Sequence, residues 1–90
     1  MRTCLVTGAG RGIGRAVAHR LSAGGDRVAL TARSADQLRE VAAELPGPSL
    51  VLPADITVAS AVEETFAAVE ARWGGVDVLV ANAGAGASAK

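Results

Sequence analysis

Thr7-Gly8-Ala9-Gly10-Arg11-Gly12-Ile13-Gly14 joins a short apolar run to an amphipathic one through four glycines. The run before it, Arg2-Thr3-Cys4-Leu5-Val6-Thr7, reads as a buried parallel strand, and the apolar positions after it, Ile13, Ala16, Val17 and Leu21, recur at helical spacing. The glycines therefore stand at a strand-to-helix junction. A helix N-terminus presents unpaired N–H groups and roughly half a positive charge. A diphosphate is stabilised there when no Cβ keeps it at a distance, and glycine both removes the Cβ and permits positive φ in a tight turn.

The common dinucleotide fingerprint G-x-G-x-x-G, begun at Gly8 and Gly10, needs a third glycine where Ile13 stands. The pattern that fits is T-G-x-x-x-G-x-G, with Thr7, Gly8, Gly12 and Gly14 in place and Gly10 as an extra small residue. A P-loop is excluded, because no Gly-Lys-Ser/Thr occurs and the only lysine is Lys90. The arrangement resembles the short-chain dehydrogenase/reductase family, in which this turn wraps the diphosphate of NAD or NADP. On the residues alone, a bare βα connection without a ligand is the alternative.

The chain has 90 residues, enough for one domain, and at this length folding buries roughly 60% of the unfolded surface. Nine basic and nine acidic residues cancel, so charge implies neither a nucleic-acid partner nor an anionic membrane. Cys4 is the single cysteine and reads as a small buried hydrophobe of the first strand. No apolar run approaches the ~18 residues of a spanning helix, and no signal peptide is visible, so the default expectation is cytoplasmic.

Four apolar runs alternate with three helical patterns in the order βαβαβαβ. The strands read as Arg2–Thr7, Arg27–Ala32, Ser49–Pro53 and Val76–Ala81, each apolar in its middle as strands covered on both faces are. The first helix, Ile13 to Ala23, ends at Gly24-Gly25, with Arg15, His19 and Arg20 outward. The second starts at Ser34, with Gln37 completing a capping box, and buries Leu38, Val41, Ala42 and Leu45. The third follows Thr57 as N-cap and buries Val58, Val62, Phe66, Val69 and Trp73 before Gly74-Gly75. Right-handed crossovers give strand order 3-2-1-4, a Rossmann-type doubly wound α/β half-sheet whose ligands lie beyond the carboxyl ends of the strands. Residues 1–84 form this partial dinucleotide-binding domain, and 85–90 read as a flexible tail.

Those strand ends carry the remaining candidates. After the second strand, where an NAD site usually places an acidic residue for the ribose hydroxyls, stand Arg33 and Ser34. A guanidinium can hold a 2′-phosphate that a carboxylate would repel. The resemblance implies the same preference for NADP over NAD, because family members with basic residues here and in the turn, as at Arg11, usually prefer NADP. Either both arginines serve the phosphate or they are solvated surface charges. The family assigns the position of Asp55 to the adenine amino group and the backbone N–H of Ile56 to a ring nitrogen; the alternative for Asp55 is a cap on the third helix. Ala81-Asn82-Ala83-Gly84 resembles the family's Asn-Ala-Gly motif, with Ala81 where Asn is commoner. There Asn82 would brace the sheet's end, and Ala83-Gly84 would admit the nicotinamide ribose. The cofactor-binding set is thus Gly8, Gly10, Arg11, Gly12, Ile13, Gly14, Arg33, Ser34, Asp55, Ile56, Asn82, Ala83 and Gly84.

The family's Ser, Tyr and Lys constellation has no counterpart, since the chain contains no tyrosine, and Ser88 and Lys90 match no part of it. His19 falls on the outer helix face, away from the nicotinamide end. The resemblance therefore implies the amino-terminal, cofactor-binding half of an oxidoreductase, with hydride exchanged with a small alcohol or carbonyl substrate in the full-length protein. The other reading is a non-catalytic nucleotide-binding module or truncated remnant. The fourth strand, left as an edge, is apolar and free of proline, and is expected to mediate self-association or homo-oligomer formation.

Overall fold

The apolar run that opens the chain becomes an inner strand of a parallel sheet. In the computed structural model, which describes residues 1–82, β1 spans Thr3–Thr7 and all of it is buried. The other elements are α1 (Gly12–Ala23), β2 (Arg27–Ala32), α2 (Ala35–Glu44), β3 (Ser49–Pro53), α3 (Ala59–Trp73) and β4 (Val78–Val80). Every strand pair is parallel and the order is β3-β2-β1-β4, the expected Rossmann-like α/β arrangement. Thr7 lies opposite Thr31, Thr31 opposite Leu52, and Val6 opposite Val80, so the four strands end together at one edge of the sheet.

Alternation along the strands divides the core between the two faces. Val6, Val28 and Leu30 pack with Ala18 of α1 and with Leu38 and Val41 of α2. On the opposite face Leu5 and Ala29 pack with Val69, Phe66 and Trp73 of α3. Trp73 also lies under the Arg27 guanidinium, 5.6 Å from ring centroid to Cζ. Coverage is uneven. β1 and the middle of β2 are buried, whereas β3 and β4 are outer strands with half-buried or exposed residues, and Leu79 is 50% exposed. The expectation that all four strands are covered alike holds only for the inner pair.

Several boundaries differ from the sequence reading, each for a local reason. β1 begins at Thr3 rather than Arg2, and β4 is confined to Val78–Val80 rather than Val76–Ala81. The Asp77 carboxylate accepts from Thr3 N at 2.8 Å, taking a donor that a strand carbonyl would otherwise use. α1 begins at Gly12 and turns Gly14, Ala18 and Ser22 inward, with Val17 and Leu21 beside them. Ile13 (73% exposed) and Ala16 face outward, because the helix approaches the sheet on its smallest residues. Val58, not Thr57, is the N-cap of α3, and it is 46% exposed rather than buried. The Thr57 hydroxyl instead donates to Asp55.

At the amino end of the sheet Arg2 holds Asp26 with two bonds, Nε to Oδ1 at 3.2 Å and a terminal nitrogen to Oδ2 at 2.8 Å. Asp26 is almost fully buried. The hydrogen bond from Arg2, outweighing the opposing effect of burial, holds its carboxyl below the usual aspartate range. A carboxylate whose folded-state pKa is depressed stabilises the fold above its unfolded value, and that stability is lost as pH falls through the folded value. Asp26→Asn is accordingly expected to lower the thermal midpoint at pH 7, with the two proteins converging as the pH falls below the ordinary aspartate range. A difference that stays constant with pH in a circular-dichroism melting series would contradict this role.

Candidate cofactor-binding site

The turn between β1 and α1 is built on one close approach. A Cβ placed on Gly14 would lie 2.1 Å from the Gly8 carbonyl oxygen and 2.9 Å from Asn82 Nδ2, so the first turn of α1 rests directly on the end of β1. Gly8 and Gly12 both take φ 63°, the left-handed region that glycine enters without a Cβ penalty. A Cβ on Gly12 would meet nothing within 4 Å, so this part of the turn presents open backbone. Arg11 is the N-cap of α1 in an extended conformation, with no side-chain capping bond and no acidic residue in the first turn. The positive end of α1 is therefore neither capped by a side chain nor neutralised by a carboxylate, and the open backbone in front of it fits an anionic diphosphate.

The other strand ends are tied to this turn by hydrogen bonds. Ala9 N donates to Thr31 O at 3.3 Å, and Ala54 N donates to Ala32 O at 2.9 Å, which sets the turn and the end of β3 on either side of the end of β2. The Thr7 hydroxyl accepts from Asn82 N at 2.8 Å and donates to Val80 O at 3.3 Å. Asn82 Nδ2 in turn donates to Gly8 O at 3.4 Å. Asn82 thus fastens β4 to the glycine turn. Ala83 and Gly84 lie outside the described residues.

Arg11 and Arg33 are exposed at this edge. Asp55 Oδ1 accepts from the Thr57 hydroxyl at 2.6 Å and from Thr57 N at 3.0 Å. These two bonds, with a smaller contribution from the positive charge of Arg33, hold the Asp55 carboxyl below its usual range. Asp55 therefore closes the turn containing Ile56, four residues before the start of α3, rather than capping the helix itself. Ser34 is the N-cap of α2, its Oγ accepting from Gln37 N at 3.3 Å. His19 stands apart on α1, 2.7 Å from Glu44 Oε1, and the same carboxylate receives Arg15.

Two contributors to this edge escaped the sequence reading. The Thr7 hydroxyl was recognisable only as a letter of the glycine motif, and its bonds to Val80 of β4 and to Asn82 beyond it reach residues 73 and 75 positions away. Gln37 was visible as a capping-box residue, but its side chain also covers Gly10, with Oε1 2.8 Å from the position of a Cβ there. Periodicity reports which face a residue occupies, not what lies across the space in front of it.

The glycines differ in what a methyl group would do. Gly14→Ala forces backbone against backbone and is expected to cost about 3 kcal/mol, near the upper end for overpacking. Gly12→Ala strains only a left-handed φ and is expected to cost about 1–2 kcal/mol. Urea denaturation of the two variants measures the difference, and equal losses would contradict the close approach at Gly14.

The family described as short chain dehydrogenase matches residues 2–90. An uncharacterized oxidoreductase of Staphylococcus epidermidis is 38% identical over 89 residues, covering 99% of this chain and 39% of that protein. The 3-oxoacyl-[acyl-carrier-protein] reductase MabA of Mycobacterium tuberculosis is 43% identical over 88 residues, covering 98% of this chain and 32% of the relative. Among solved structures, a metagenomic short-chain oxidoreductase in complex with NADP superposes with a TM-score of 0.83 at 38% identity, over 87% of this chain and 37% of that one. The chain thus spans less than half the length of the proteins it matches. With the fold, the glycine turn and the family match in agreement, the chain belongs to the short-chain dehydrogenase family.

Proposed function

We propose that this chain is the nucleotide-binding part of an NADP-preferring oxidoreductase, which in the whole protein exchanges hydride between the nicotinamide and an alcohol or carbonyl group of a small substrate. The observation that carries the preference is Arg33, exposed at the end of β2 and close enough to Asp55 for its charge to be felt there, where an acidic residue would serve NAD. The metagenomic relative solved with NADP supports the same choice of cofactor.

In this reading the backbone of Gly8, Gly10, Gly12, Ile13 and Gly14 receives the diphosphate at the start of α1. Arg11, Arg33 and Ser34 serve the adenosine ribose and its 2′-phosphate. Asp55 and Ile56 face the adenine, and Asn82, Ala83 and Gly84 border the nicotinamide ribose. NADP supplies the hydride chemistry; the residues of this chain bind and orient it, and none is assigned a catalytic role. Among the described residues no helix is long and apolar enough to cross a membrane, which accords with a cytoplasmic enzyme.

The affinity of the chain for NADPH is expected to exceed that for NADH, and Arg33→Asp to reverse the order by removing a charge-assisted bond worth on the order of tenfold to a hundredfold and adding a repulsion. Fluorescence titration with the two nucleotides decides the matter, equal affinities that survive the substitution being the contrary result. A second reading, self-association, rests on Leu79, half exposed on an outer strand. Leu79→Lys is expected to reduce any assembly seen by light scattering at tens of micromolar, as a charge on an edge strand opposes pairing; a wild-type monomer at that concentration would exclude it.

A further inference from the structure

The first turn of α2 and the glycine turn share the carboxyl end of β2. Ala9 N donates to Thr31 O, and Ser34 Oγ fixes the start of α2 through Gln37 N, so the two turns stand side by side. The Gln37 side chain bridges them. A Cβ on Gly10 would lie 2.8 Å from Gln37 Oε1 and 3.0 Å from Gln37 Cβ, so the carboxamide occupies the space that a side chain at position 10 would take. Both residues are half-buried, which leaves the amide accessible from the solvent side. Among the described residues neither end of the Gln37 carboxamide has a hydrogen-bond partner, the bond to Ser34 being made by its backbone N.

The ribose of a bound dinucleotide lies between the first βα turn and the end of the second strand, which is the ground Gln37 overlooks. We infer that Gln37 is a phosphate-binding and specificity residue: its Nε2 donates to the 2′-phosphate of NADP from α2, in place of a polar side chain that Gly10 does not have. With Oε1 turned to Gly10, Nε2 is the amide atom left to donate. A neutral amide adds reach beside the Arg33 guanidinium without adding charge. The inference rests on the reading of the site as one for NADP.

Gln37→Glu separates this role from packing, because it keeps the size of the side chain and places an acidic group in the first turn of α2, where the helix dipole favours it. The fold is therefore expected to persist, as thermal melting would show. In titrations of the 90-residue chain, Gln37→Glu should weaken NADPH by about tenfold or more through repulsion of the phosphate, and Gln37→Ala by roughly threefold to tenfold, the span of one hydrogen bond, with NADH unchanged by either. Equal weakening of NADPH and NADH, or no change in either, would overturn the inference. If Arg33→Asp switches the nucleotide preference while both Gln37 variants do not alter it, Gln37 alone loses its role. If the wild-type chain binds neither nucleotide, or Arg33→Asp also leaves the preference unchanged, the cofactor reading falls with it.

Discussion

The packing of Gly14 against the Gly8 carbonyl is the contact on which the rest of the site depends. No residue with a Cβ can stand at Gly14 without moving backbone, since the atom would fall 2.1 Å from that oxygen. The approach continues down α1 on Ala18 and Ser22, both buried, and Ser22 Oγ accepts from Gly47 N at 3.0 Å to hold the loop before β3. A helix seated this closely aims its N-terminus across the sheet's edge rather than away from it. The same seating leaves Ile13 at the mouth of the turn, exposed to whatever lies there.

That constraint also explains what could and could not be read from the sequence. Strand order, helix number and the placement of the turn follow from apolar periodicity and glycine spacing, which are local or nearly so. The inward face of α1 does not, because the periodicity rule equates burial with apolar bulk. Close backbone approach selects the opposite, so Gly14 and Ser22 are buried while Ile13 is not. Val58 failed for a related reason: an apolar residue at the helical spacing of Val62 and Phe66 proved to lie outside the helix, on its cap. Asp77 was illegible because its role consists of a partner in another element, Thr3, and the capping-box reading of Gln37 left out its approach to Gly10 for the same reason.

A formal net charge of zero conceals a division between the two ends of the sheet. At the amino end the buried carboxylate of Asp26 is matched by Arg2. At the carboxyl end the exposed guanidinium groups of Arg11 and Arg33 stand near an α1 terminus that no carboxylate in its first turn neutralises, and Oδ1 of Asp55 accepts from Thr57. The bonds of Arg15 and His19 to Glu44 link α1 with α2 at the exposed surface, where water screens charge and such contacts add little to stability. The helices are held to the sheet by Leu38, Val41 and Ala18, not by those charges. Charge is thus free to serve recognition at the edge where the strands end.

The hydrogen bonds that join the strand ends make ligand binding and folding two aspects of one equilibrium. Ala9 to Thr31, Ala54 to Ala32 and Thr7 to Asn82 exist only when β1, β2, β3 and β4 are in register, so a ligand spanning that edge binds the assembled sheet and not the separated strands. A ligand at a hundred times its Kd stabilises such a state by about 2.7 kcal/mol. Against the roughly 5–15 kcal/mol typical of a folded domain, that is a substantial share, and it falls on the least buried part of this one. β3 and β4 each have one sheet neighbour among the described residues and incomplete cover from the helices. Asn82 attaches the end of β4 directly to the turn between β1 and α1, and β3 is joined to that turn through the end of β2, so a ligand seated in the cradle would favour the state in which the outer strands are in place.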